Sequence, residues 1–364
     1  MKFILKINLT ILSFICQMKY FFYFLALLLF SCNSSTKPDV SNIEVNLKTE
    51  RFDNDFFRID TNEVSSSIQQ LYKKYPGFTG GFVSNILGLH ADSLSIGHSA
   101  TSEAVRQFIK DYTPIKDSSD RIFKDFSKWT TKIDEALRYV KYYFPKYQLP
   151  EKVIVFIGPM DAFFNTSFGI QGDVLTPAGI GIGLQLHLGK DFSFYKSEEG
   201  QELYPEYISR SFDPEHIPIN AMMVIIDDLY PPQNQSSTLI EQMVESGKKY
   251  FLLEKFLPDE NESALFGYTE EQTKGVYKNE ATIWDFFLNN NLINNNDPTI
   301  IKNYIGPSPK TQAFGDGAPG NLGSFIGLQI VKKFMEVNPK ISLDQLMKMP
   351  QRRVYEQSKY KPRN

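Results

Sequence analysis

A chain of 364 residues with 42% hydrophobic side chains carries enough apolar surface for one large core or two modest ones. Aromatic content of 14%, including 30 Phe and 19 Tyr, excludes a disordered chain. The formal charge of −3 leaves no basic footprint for nucleic acid beyond the short tail QRRVYEQSKYKPRN, which reads as a solvated, frayed terminus. Cys16 and Cys32 are the only cysteines, so the chain beyond Cys32 has neither a disulfide framework nor a thiolate metal site.

The amino end reads as an address. Lys19 followed by Tyr20 to Phe30 is a charged start and a short apolar run, below the ~20 residues of a membrane span and suited to a signal peptide. The run ends at Leu29-Phe30-Ser31-Cys32, which resembles the bacterial lipobox, although Phe30 is bulkier than the usual residue there. Residues 1–31 are read as the signal peptide. Translation from Met18 is the simplest account of the second apolar run before it; an uncleaved anchor or a plain secretory signal are the alternatives. Cys32 would then be the lipidated amino terminus, with 32–41 a polar tether and one domain over 42–364. Each buried methylene contributes ~0.8 kcal/mol, so more than one acyl chain on Cys32 gives a lasting anchor. The expected location is the cell membrane or outer membrane, with the domain in the periplasm.

Ile43, Val45 and Leu47 alternate with polar residues as a first strand. Asp60 and Glu63 have the spacing of a capping box, opening a helix through Tyr75 that Pro76-Gly77 closes. Thr101–Tyr112 and Asp120–Tyr143 carry helical spacing, and two prolines in YYFPKYQLP then precede a buried strand at Lys152–Gly158. The glycines of GIGIG at Gly179–Gly183 do not fit G-x-G-x-x-G and lead into no helix, so a strand with close backbone approach is expected. Leu184–Leu188 continues the alternation, with Gln185 and His187 on its polar face; His187 is read as a surface or hydrogen-bonded residue. Later elements are a helix at Glu280–Leu288, an Asn-rich loop at Asn289–Asp297, a helix following Gly315–Gly323 and stopping at Asn338-Pro339, and a short helix capped by Ser342 and Gln345. Strands and helices come in blocks, which indicates α+β, predominantly helical.

The stretch Asn220–Phe256 joins an apolar helix to an amphipathic one. Thr238 and Glu241 form a capping box for the second helix. Ile240, Met243, Val244, Tyr250 and Phe251 are its buried stripe, and Glu241, Gln242, Glu245, Lys248 and Lys249 its wetter side, with Glu245 and Lys249 paired four apart. Gly247 costs that helix ~1 kcal/mol relative to Ala, so something crowds against it. The expected neighbour is the Ala221–Ile226 helix, with Met222 and Met223 filling the space.

The usual catalytic patterns are missing. None of His90, His98, His187 and His216 begins H-E-x-x-H, and the inverted H-x-x-E-H fails because Phe212 stands where the first histidine would be. Asp213 or Glu215 beside His216 suits a helix start. There is no G-x-S-x-G elbow, and Gly247-Lys248 lacks the rest of a P-loop. Asp227 and Asp228, about 100° apart on a helix, make no shared-proton dyad by position.

Several ordered pieces carry a family resemblance: the lipobox at Cys32, Arg51-Phe52-Asp53 with Phe56-Phe57, Tyr142-Tyr143-Phe144-Pro145, Gly247-Lys248-Lys249-Tyr250-Phe251, Gly267-Tyr268-Thr269, and Ile326 to Val331. In this order the chain resembles the gliding-motility lipoprotein B (GldB-like) family of Bacteroidetes over essentially its whole mature length. The resemblance implies a membrane-tethered component needed for surface gliding, with no established chemistry. That family is also similar, distantly, to predicted zinc-dependent proteases, in which an H-E-x-x-H helix precedes one bearing Glu-Gly. Here Ala221, Met222, Met223 and Val224 stand where ligands are needed, and Ser246-Gly247 replaces Glu-Gly. The implied fold is a degenerate zincin-like (metallopeptidase-like) single domain, a protease-like scaffold without catalytic residues, metal or cofactor. The function expected is a lipid-anchored, non-catalytic component of the gliding machinery, with the membrane and other gliding or envelope proteins as partners. The alternatives are an envelope peptide- or glycan-binding lipoprotein, using a strand such as Leu184–Leu188, and a metal-independent tethered hydrolase.

Overall fold

Apolar residues at helical spacing outnumber alternating ones along most of the chain, and the computed structural model is accordingly an α+β fold in which helix predominates. It describes residues 37–362 apart from 90–98, 233–236 and 316. Cys32, His90 and His98 lie outside the described residues. Val40–Asn364 is one compact unit.

Its centre is a four-stranded sheet of β1 (Lys48–Arg51), β2 (Lys152–Phe156), β5 (Val174–Thr176) and β6 (Gly179–Gly183), in the order β1-β2-β6-β5. β1, β2 and β6 run parallel, and β5 returns antiparallel beside β6. A separate hairpin pairs β3 (Phe164–Thr166) with β4 (Gly169–Gln171). β2 is apolar on both faces because both are covered. Val153 and Val155 enter the main helical core, and Ile154 and Phe156 a second core with Phe52, Phe56, Phe78 and Phe82. The glycines of β6 permit this proximity: Gly179 has φ +142°, and a Cβ there would stand 2.3 Å from the Lys152 carbonyl oxygen.

Helices α1 (Val64–Lys74), α2 (Ser99–Ile122), α3 (Ser127–Tyr143), α4 (Ile217–Leu229), α5 (Leu239–Phe256), α6 (Glu280–Asn289), α7 (Leu322–Val337), α8 (Leu343–Lys348) and α9 (Gln351–Ser358) surround the sheet and its cores. The expected capping boxes of α5 and α8 both form. Other expectations are corrected. Ile43, Val45 and Leu47 pack partly buried against the core but precede the ladder, which starts at Lys48. Asp60 and Glu63 make no capping box, because Asp60 Oδ1 accepts from the Asn62 amide and α1 begins only at Val64. α2 runs through Pro114 to Ile122, and the break comes instead where Phe123, Phe126 and Trp129 cluster. Leu184–Leu188 is no exposed strand: Leu184–Leu186 is one 3-10 turn, and all five side chains are buried. The supposedly frayed tail is α9, with Val354 fully buried and Tyr360 donating to Glu280 at 2.6 Å.

Gly247 of α5 meets Gly327 of α7, not α4. A Cβ on Gly247 would stand 2.1 Å from the Gly327 carbonyl carbon, and one on Gly327 would stand 1.7 Å from the Met243 oxygen. Two helix backbones touch here, with no side chain between them. The lysines that follow are also not on a wet face. Lys248 is fully buried, its ammonium donating to the Met349 and Met347 carbonyls at 2.5 and 3.4 Å and so capping the end of α8. Burial pulls its pKa down to about 8.

Gly247→Ala is expected to destabilise by about 3 kcal/mol or more, since the obstruction is backbone that cannot turn away. Gly275→Ala, in a helix where nothing stands within 4 Å, is expected to stabilise by up to about 1 kcal/mol. Urea unfolding of the two variants checks both signs.

Candidate functional site

A cavity of about 230 Å³ opens beside the β3–β4 hairpin and the start of α4. Four parts of the chain converge on it: the hairpin, the 207–212 segment leading into α4, Tyr250 with the 264–268 segment, and the loops at 307–308 and 320–321.

One wall is a stack of rings. Tyr250 lies on Phe266 with centroids 4.0 Å apart and planes within 7°, Phe266 stacks on Tyr268 at 5.3 Å, and Phe168 meets Tyr250 edge-on at 5.1 Å. Hydrogen bonds fix their polar ends. Tyr268 donates to the Gly320 carbonyl at 2.7 Å, and Tyr250 Oη accepts from Asn321 Nδ2 at 3.1 Å. Asn321 holds a left-handed φ of +61° just before α7 and accepts from the Gly306 amide, so it ties the loop to the wall. Burial raises the pKa of both phenols, which keeps them protonated.

Among the described residues, no Asp or Glu lines the cavity. Its ionisable groups besides the tyrosines are Arg210 and His216. Arg210 Nη1 lies 3.4 Å from Gln272 Oε1, and its Nε is buried without a partner. Burial lowers its pKa. His216 caps α4, and its Nδ1 is also buried without a partner. Burial first, and the neighbouring His187 second, bring its pKa down to about 4, so the ring is uncharged at neutral pH. Glu215 turns away to Lys128 and Lys132. Asp213 accepts instead from the Lys190 amide at 2.8 Å.

Behind His216, His187 is wholly buried, with Nε2 donating to Asp173 Oδ2 at 2.9 Å. Asp173, equally buried, also accepts from the Gly183 amide at 2.9 Å. The pair secures the end of β6 to the approach to β5. His187 is thus hydrogen-bonded as one of its two expected readings had it, and Gln185 is buried as well, its Oε1 accepting from the Gly158 amide. Among the described residues, no three or more His, Cys, Asp or Glu side chains are grouped to hold a metal ion.

The hairpin is clamped from below. Lys249, almost fully buried, donates to Asp227 Oδ1 at 2.8 Å and to Ser167 Oγ at 2.7 Å, while Asp227 Oδ2 accepts from the Ser167 amide at 2.7 Å. The ammonium therefore holds the serine oxygen as an acceptor and is not placed to withdraw its proton. Lys249 thus pairs with Asp227 and not Glu245, which instead accepts from Gln351. Asp227 and Asp228 part company as their spacing implied, since Asp228 accepts from Tyr147 on the other side.

Of the residues singled out in the sequence, Phe212, His216, Met223, Tyr250, Gly267 and Tyr268 reach the cavity. Arg210, Tyr268 as a wall ring and Asn321 carried no local pattern, though an arginine isolated in the run YISRSF was a usable signal.

Comparison with protein families matches residues 33–362 to the family described as Gliding motility protein GldB. The span is nearly the whole chain, and the chain belongs to that family. No curated protein matches, and no solved structure matches.

Asp227→Asn is expected to cost about 3 kcal/mol, because it strands the Lys249 ammonium without its carboxylate; a chemical denaturation midpoint reads this. The His216 shift fixes a second expectation. The unfolded chain takes up the proton near pH 6.5 and the folded protein only near 4, so stability falls as pH drops through that window. His216→Gln is expected to flatten this part of the pH–stability curve.

Proposed function

We propose that this member of the gliding-motility family is a lipid-anchored, non-catalytic component of the gliding machinery, attached through Cys32 and acting through protein partners at the envelope. Family membership itself implies involvement in gliding motility. The family's lipoprotein character and the sequence ending at Cys32 support the anchor. No helix among the described residues is long and apolar enough to cross a membrane.

The observation that carries the non-catalytic reading is how several of the reactive groups near the cavity are already committed. Ser167 Oγ accepts from an ion-paired ammonium, His187 is sealed against Asp173, and the wall tyrosines are protonated and hydrogen-bonded into the frame. Such a cavity binds well and reacts poorly. A hydrolase working through carboxylates finds none on the cavity wall among the described residues.

We read the scaffold as zincin-like and stripped of its metal. The support is that, apart from Met223 on the cavity wall, each position where that chemistry would sit has a structural task. Ala221, Met222 and Val224 are core residues, Ser246 donates to Ser324 at 2.7 Å, and Gly247 is pressed on α7. A second reading, an envelope peptide- or glycan-binding lipoprotein, is favoured by the same cavity, though not by Leu184–Leu188, which are buried.

Cells fed radioactive palmitate are expected to label the wild-type protein and not Cys32→Ala; label on the variant would overturn the anchor. A deletion strain is expected to lose surface movement, recovered with the wild-type chain and not with Cys32→Ala. Normal gliding by the deletion strain would sink the motility role. Turnover of wall fragments by the purified protein, lost on changing one carboxylate, would reverse the non-catalytic reading.

A further inference from the structure

Among the described residues of the cavity wall, Arg210 is the charged side chain whose hydrogen bonding is left unfinished. A guanidinium presents five donors in a planar fork. Here Nη1 reaches a single neutral oxygen at 3.4 Å, and that oxygen, Gln272 Oε1, already accepts from the Thr269 amide at 3.0 Å. Nε is buried with no partner, and among the described residues no carboxylate lies within ion-pair distance of the head group. The two buried lysines of α5 are by contrast compensated: Lys249 by Asp227, and Lys248 by the carbonyls at the end of α8. Arg210 is half-buried and Glu206 attracts it only from beyond ion-pair distance, so the fork is desolvated in part and open to an anion entering the cavity.

The surroundings narrow the anion that would answer it. With His216 uncharged near neutral pH, Arg210 supplies the single positive charge of the wall among the described residues. One charge suits a monoanion; a phosphate monoester carries nearly two and is ordinarily met by more than one cation. Beside the guanidinium the wall is the ring stack with Ile219 and Met223, an apolar bed for a side chain. The volume, about 230 Å³, is below the ~300–1,000 Å³ of drug-sized sites and matches one residue better than an extended molecule.

We propose that this cavity receives the free α-carboxylate of a peptide ending in an apolar residue, with Arg210 as the bidentate partner of the carboxylate and the rings as the bed of the last side chain. This rests on the reading of the cavity as a binding site, and is independent of the anchor on Cys32.

The full-length protein in detergent, titrated calorimetrically with an N-acetylated tripeptide ending in phenylalanine, tests the idea beside the same peptide as its carboxamide, N-acetylphenylalanine alone, and inorganic phosphate. Saturable binding of the free-acid peptide, at least tenfold weaker for the amide, is expected. Arg210→Gln should bring the acid down to the level of the amide, and Arg210→Lys, which keeps the charge and loses the fork, should fall between. N-acetylphenylalanine binding as tightly as the tripeptide would move the ligand from a peptide end to a single amino acid and overturn the peptide part. A second readout separates ligand recognition from a structural role. Without ligand, Arg210→Gln should melt no lower than wild type, since it removes an uncompensated charge, and the peptide should raise the melting temperature of wild type alone. Equal binding of acid and amide, acid binding undiminished by Arg210→Gln, Arg210-dependent binding of phosphate in preference to the peptide, or no binding at millimolar peptide would each overturn the proposal. Loss of gliding on deletion with no peptide binding would leave the motility role standing and remove this one.

Discussion

The contact of Gly247 with Gly327 sets the distance between α5 and α7, and most of the molecule is arranged around that distance. Four consecutive residues of α5 then point in four directions, as helical geometry requires at about 100° per residue. Gly247 meets α7, Lys248 caps α8, Lys249 clamps the hairpin turn, and Tyr250 forms part of the cavity wall. A spacer between the two helices would move all four at once. The aromatic wall also depends on it, because Asn321, which holds Tyr250, stands at the start of α7.

Much of the scaffold was legible because its signals are local. The boxes at Thr238/Glu241 and Ser342/Gln345, the apolar run of β2 and the Pro-Gly stop after α1 need only neighbours in sequence, and all were found in place. What could not be read depends on distant partners. Lys248 and Lys249 look like a wet face until the end of α8 supplies a carbonyl pair, and α4 a carboxylate, to bury them. Gly247 announced a crowded neighbour, but nothing in its own segment says that the neighbour is another glycine eighty residues later. The tail was misread for the same reason, its charge hiding Val354 and Tyr360, which α9 turns inward.

The candidate site was the least legible part. Its histidine, His216, reads in sequence as a lone ring beside a helix start, and the structure backs it with the His187–Asp173 pair, which no local pattern announces. The cavity is instead defined by an arginine, three stacked rings and a left-handed asparagine, drawn from segments with no common period or motif. Family membership places the chain among gliding-motility proteins, and the cavity is the place on the domain where we propose that a peptide end is met.

Among the described residues, the cavity wall begins at Thr166 and ends at Asn321, and none before residue 166 contributes to it. A chain made from its amino end therefore presents its first core, with α1 and β1, long before the cavity can exist. The site closes only when residues 307–321 return over Tyr250 and the hairpin, a loop closure spanning some 150 positions whose entropy must be met before any of its contacts form. The proposed recognition site is thus completed only once the start of α7 has been made, and a product cut short ahead of α7 would lack it.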